Sequence, residues 1–264
     1  MARKVQDKLS RAAKIGEATE DEKLLETEAE ETLFLQTDPW RVMRITGEFV
    51  EGIDALASLG RAVSIFGSAR VPDTDPMYRT AVDVARLLGE AGFSVITGGG
   101  PGIMQAGNEG ARLASARSVG LNIELPFEQR LNPFVDISVD FRYFFVLKTM
   151  FVKYSWAFVI FPGGFGTMDE LFESLVLIQT GKLKSFPVIL YSTAYWKGLV
   201  DWMRATMLAE GKIAEADLGL LEFCDTPEEV VQTILRSAND LDSQRATEEE
   251  AARRQTKKAF SDLR

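Results

Sequence analysis

"AFVIFPGGFGTMDELFESLVLIQTGK", residues 157–182, decides how the chain is read. It opens on a short apolar run without alternation, which suits a strand buried on both faces. Pro162, Gly163 and Gly164 break that run. From Gly166 the apolar residues recur at helical spacing as far as Lys182. Strand, glycine turn and helix together make half of a parallel β-α-β unit.

The same alternation spreads outward in both directions. Upstream, "AVSIFG" (62–67), "FSVITGGGPG" (93–102), "SVGLNIEL" (118–125) and "FVDISVDF" (134–141) read as strands. Between and after them, 78–92, 103–116 and 143–155 read as helices, with Gly92 placed as a C-cap. Downstream, "FPVILYS" (186–192) is a strand, and 195–211 and 226–238 are helical. This pattern predicts an α/β fold: a Rossmann-like, doubly wound, mostly parallel sheet with helices on both faces. One nucleotide-binding domain of this kind is expected over 61–238. A helix at 38–60, apolar at Val42, Ile45, Phe49, Ile53 and Leu56, is expected to pack on the domain or on a partner. The dense charge of 1–33 and 239–264 predicts a flexible arm and a charged tail.

Composition excludes several chemistries. The 264 residues contain no histidine and one cysteine, Cys224. Ser-His-Asp and Cys-His nucleophile systems, His-ligated metals, cysteine zinc cages and intrachain disulfides are therefore ruled out. No metal and no cofactor are expected. The net charge of −9 disfavours general nucleic-acid binding. No apolar run approaches the ~20 residues of a membrane span, and the first residues carry no secretory h-region, so a cytoplasmic protein is expected.

Three glycine-bearing turns fall at strand ends: "FGSAR" (66–70), "GGGPGIM" (98–104) and "PGGFGT" (162–167). In an open α/β sheet such ends form the ligand crevice, and a helix N-terminus presents unpaired N–H groups to an anion. Three at one sheet edge point to a nucleotide-like ligand. The spacing of G-x-G-x-x-G followed by an acid is missing, and so is the P-loop G-x-x-x-x-G-K-[ST]. With no lysine in "GGFGT" to reach a γ-phosphate, one phosphate suits the turn better than three.

The acids that follow admit two readings. Asp169 complements the helix dipole, and Thr167 with Glu170 has capping-box spacing. Alternatively Glu170 points past the phosphate to a sugar, where a carboxylate can hold ribose hydroxyls or stabilise an oxocarbenium-like centre.

"SIFGSAR", "TGGGPGIMQAGNEGA", "GLNIELPFEQ", "KTMFVKYSWAFVIFPGGFGTMDELFE" and "LIQTGK" together resemble the LOG (lonely guy) phosphoribohydrolases, in their longer bacterial form. The likeness covers roughly residues 60–210, and "PGGFGTMDE" fits the family's P-G-G-x-G-T-x-x-E signature. Such proteins are often labelled lysine decarboxylases, but no lysine here stands in a pyridoxal-phosphate context. The resemblance implies hydrolysis of the N-glycosidic bond of a purine or cytokinin nucleoside 5′-monophosphate, giving free base and ribose 5-phosphate. It implies that Gly163, Gly164, Phe165, Gly166 and Thr167 hold the 5′-phosphate. Glu170 and Lys148 become the catalytic pair. Gly98, Gly99 and Gly100 line the opposite wall, with Ser68, Arg70 and Leu147 as further substrate contacts. It also implies a homodimer or higher oligomer.

One position departs from the family. The helix before the signature strand normally carries Arg-Lys; here the pair is Leu147-Lys148. Leucine offers neither the charge nor the fork of a guanidinium. Arg142, about a turn and a half earlier, is the candidate to compensate. A non-catalytic nucleotide-binding or regulatory protein on the same scaffold is therefore the competing expectation. A nicotinamide-dependent oxidoreductase is disfavoured by the missing fingerprint.

Overall fold

The computed structural model describes residues 20–25, 38–125, 130–183, 186–240 and 242–243. The charged arm at 1–33 and the tail at 239–264 lie largely outside the described residues.

Seven strands form one sheet: β1 (Ala62–Phe66), β2 (Ser94–Thr97), β3 (Ser118–Ile123), β4 (Ile137–Phe141), β5 (Ser155–Ile160), β6 (Val188–Tyr191) and β7 (Leu221–Cys224). Their order across the sheet is β4-β3-β2-β1-β5-β6-β7, and every neighbouring pair is parallel. The winding reverses between β1 and β5. Their carboxyl ends therefore open the crevice in which this architecture takes ligands.

The helices are α1 (Glu20–Leu25), α2 (Asp38–Leu56), α3 (Pro76–Glu90), α4 (Ile103–Leu113), α5 (Phe144–Tyr154), α6 (Phe165–Gln179), α7 (Thr193–Trp202), α8 (Glu215–Leu218) and α9 (227–240). Two apolar layers sandwich the sheet. One joins α3, α4 and α9 through Val84, Leu88, Ile103, Val230 and Ile234. The other joins α2, α5, α6 and α7 through Leu56, Val146, Met150, Leu171 and Trp196. Strands β1, β2 and β6 are buried along their whole length, so apolar side chains serve both faces. Each large side chain withdrawn from water this way contributes about 1.5–3 kcal/mol. Phe66 makes edge contacts with Phe151 and Phe158, at 4.9 and 4.8 Å between ring centroids, and ties α5 to the strands beside the crevice.

Several boundaries differ from the sequence reading. Helix α2 stops at Leu56 rather than 60, because Gly60 adopts a left-handed φ of 79° and the chain turns there. The helix expected at 195–211 starts at Thr193 and continues from Met203 to Leu208 as a π-helix. The strand placed at 134–141 begins only at Ile137. Strand β7 was missed: it is a short edge strand whose middle residues, Glu222 and Phe223, are exposed, so neither alternation nor an apolar run marks it.

Candidate functional site at the switch of the sheet

The three glycine turns meet at the crevice because the backbone of Ser68 joins them. Its N–H donates to the Pro162 carbonyl at 3.0 Å, and its own carbonyl accepts from the Ile103 N–H at 3.1 Å. Gly102 has a φ of 67°, and a β-carbon there would collide with the Ser68 carbonyl and with Ala69. Only glycine lets the second turn come this close to the first.

In the third turn, α6 begins at Phe165 with Gly164 as N-cap, and no side chain caps it. Thr167 is therefore inside the helix, buried and packed against Gly163, where a β-carbon would strike its hydroxyl. The capping-box reading of Thr167 and Glu170 is overturned, since the helix starts three residues earlier than that motif needs. The Met168 N–H is the first to find a carbonyl, that of Gly164 at 3.0 Å. The N–H groups of Gly164, Phe165, Gly166 and Thr167 have no partner among the described residues. Together with the helix dipole they have the chemistry to receive an anion.

Glu170 lies one turn further along α6. It is 8% exposed, and its Oε2 has no hydrogen-bond partner. Burial pushes its carboxyl up to about 8; the nearby Lys148 charge opposes this, while Glu173 and Asp169 add to it. Lys148 does not neutralise Glu170 directly. Its Nζ ion-pairs with Asp169 at 2.8 Å and Glu173 at 3.2 Å. Burial acts to lower the Lys148 ammonium, but Asp169, Glu170 and Glu173 outweigh it and leave it raised.

These parts surround a cavity of about 850 Å³. Of the residues expected from the sequence, Ser68, Arg70, Gly98, Leu147, Glu170 and every residue from Gly163 to Thr167 line it. Lys148 stands behind the wall, on the acids of α6. Gly99 and Gly100 face elsewhere: their carbonyls accept from the Asn132 side-chain amide at 3.0 and 3.1 Å. That amide belongs to a buried network in which Asn108 also joins Thr97, Ser118 and Val119. Arg142 does not stand in for the missing guanidinium, because it lies against Glu124 and outside the cavity wall. Among the described residues, Arg70 is the cationic side chain of the wall and Glu170 the acidic one.

The rest of the wall was not legible beforehand. Phe66, Met104, Leu121, Ile123 and Phe151 join Leu147 in an apolar side, and Tyr195 closes the rim on which the exposed Phe165 also stands. No motif marks such residues. Tyr195 follows a turn at the same sheet edge that contains no glycine; Ser192 takes the left-handed conformation there, at φ 73°.

Comparison with known proteins gives the following likenesses. A family model described as "Possible lysine decarboxylase" matches residues 104–234. An uncharacterised protein of Archaeoglobus fulgidus is 33% identical over 106 residues, 40% of this chain and 66% of that protein's length. Among solved structures, the molybdenum cofactor binding protein of Rippkaea orientalis is 20% identical, with a TM-score of 0.48, covering 67% of this chain and 94% of its own. The molybdenum cofactor carrier protein of Chlamydomonas reinhardtii is 17% identical, with a TM-score of 0.49, covering 68% and 98%. Among the described residues no helix is long and apolar enough to cross a membrane.

Proposed function

The chain belongs to the LOG family, and on that premise we propose that it hydrolyses the N-glycosidic bond of a purine or cytokinin nucleoside 5′-monophosphate. The observation that carries this reading is the spacing along α6. Unpaired N–H groups at Gly164–Thr167 suit the 5′-phosphate, and one helical turn later a buried carboxyl with an unpartnered oxygen faces the same cavity. A phosphate on the first brings the ribose over the second.

The chemistry follows from that placement. The bond between C1′ and the base nitrogen breaks as positive charge develops on the ribose ring. The Glu170 carboxylate stabilises that charge and receives a proton from the attacking water. Water supplies the hydroxyl at C1′, and the proton it gives up to Glu170 balances the one the departing base takes up from solvent. The apolar side of the wall, from Phe66 to Phe151, suits a purine and a hydrophobic substituent on it. A nucleotide substrate puts the site of action in the cytoplasm. A decarboxylase reading finds no lysine on the cavity wall among the described residues.

Leu147 favours a second reading, a protein that binds nucleotide without cleaving it. Glu170 must be ionised to act, yet the position where the family carries an arginine is apolar, and Lys148 is held by other acids. Calorimetry with AMP and cytokinin riboside monophosphates, paired with chromatography of the mixtures, separates the two. Binding with release of free base supports the hydrolase; binding with no base from any of them supports the binder.

Self-association belongs to the same reading. Val42, Met43 and Val50 of α2 and Phe172 and Val176 of α6 are exposed apolar side chains. Light scattering at micromolar concentration is expected to give at least a dimer, and a monomer alone would contradict this.

A further inference from the structure

We infer that Tyr195 is a positioning residue that sets the affinity of the Pro162–Thr167 turn for a phosphate, by locking the peptide between Gly163 and Gly164. Its hydroxyl donates to the Gly163 carbonyl at 2.7 Å. That peptide is trans, so its carbonyl and its N–H point in opposite directions. Holding the Gly163 oxygen therefore fixes where the Gly164 N–H is aimed. The need for a lock comes from the two glycines, whose lack of a β-carbon makes rotation of the peptide between them cheap. A rotated peptide would turn a carbonyl oxygen towards the anion and withdraw a donor from it. The carbonyls on either side are already taken, Pro162 by the Ser68 N–H and Gly164 by the Met168 N–H. Among these three, the Gly163 carbonyl is the one held by a side chain.

Tyr195 is mounted firmly enough for this work. Asp225 accepts from the Thr193 N–H and from the Thr193 hydroxyl, both at 2.8 Å, fixing the start of α7. The next residue, Trp196, is fully buried, and its Nε1 donates to the Tyr191 carbonyl at 2.9 Å. The Tyr195 ring packs edge-on against Trp196, at 5.0 Å between centroids. Ring and hydroxyl are thus set by the fold, independently of any ligand.

The inference rests on the nucleotide reading and is tested by calorimetric titration of AMP, ribose 5-phosphate and adenosine into wild type and Tyr195→Phe. The variant keeps the ring and loses only the hydroxyl. Weakening of AMP and ribose 5-phosphate by about tenfold, with adenosine binding unchanged, is expected for loss of one hydrogen bond to the turn. Equal affinities of variant and wild type for AMP would overturn the inference and leave the nucleotide reading intact. Equal weakening of AMP and adenosine would also overturn it, since a general packing role does not distinguish the phosphate. Wild type that binds neither AMP nor ribose 5-phosphate removes the nucleotide reading itself.

Discussion

Lys148 is the cation whose charge acts on Glu170, yet its Nζ sits 2.8 Å from Asp169 and 3.2 Å from Glu173. The buried Glu170 is left with an unpartnered oxygen and a carboxyl pushed up to about 8 by burial. The consequence is a site that keeps its key carboxyl protonated at neutral pH.

Turnover should therefore rise with pH through about 8, as Glu170 ionises. Initial rates of base release from AMP between pH 6 and 9 provide the check. A rate that is flat over this range would separate Glu170 ionisation from catalysis.

The same ionisation acts on stability. The folded-state value of about 8 lies above the ordinary 4.5, so the native protein holds a proton that the unfolded chain has released. Stability from this group is fully present below about 4.5 and declines as pH rises towards 8. Glu170→Gln should flatten that decline and stabilise the protein on its alkaline side by on the order of a few kcal/mol. Denaturant unfolding of both proteins across the pH range measures it.

Leu147→Arg should restore a charge on the cavity wall. A guanidinium near a carboxylate lowers its pKa by about 1–3 units. The pH–rate profile should shift to lower pH, with the neutral-pH rate up by about five- to tenfold. An unchanged profile would show that Leu147 does not limit ionisation.

Lys148→Met should do the reverse. Its charge opposes the upward shift of Glu170, so its removal should move the profile to higher pH. Kinetics over the same range show the direction.

Asn108 anchors the second glycine turn from within. Its side chain is fully buried and joins Thr97, Ser118, Val119 and Asn132. Asn108→Ala would leave several of those groups unpaired, at about 1–3 kcal/mol for each buried group stranded. Urea unfolding is expected to show a loss of at least about 2 kcal/mol.

The legible part of the molecule was the part written in glycine and in apolar runs. Strands β1, β2, β5 and β6 are near-continuous apolar segments, and three of the turns at the crevice carry glycines, so fold and ligand edge could be read directly. Edge strand β7 escaped because Glu222 and Phe223 are exposed and carry no pattern. Tyr195 escaped because Ser192 makes the left-handed turn that a glycine would have advertised. The separation of Gly98 from Gly99 and Gly100 escaped because it depends on Asn132, far along the chain. The start of α6 was misplaced because Thr167 has the chemistry of an N-cap, while the chain already turns helical after Gly164.

The central claim is that Glu170 cleaves a nucleotide whose phosphate is held by the first turn of α6. It is tested most directly by quantifying adenine and ribose 5-phosphate released from AMP by wild type and Glu170→Gln, with AMP affinity measured alongside. The account predicts equimolar release by wild type, a fall of about 10²–10⁴-fold in the variant, and AMP binding retained in both. Release by Glu170→Gln at the wild-type rate, with binding intact, would contradict it.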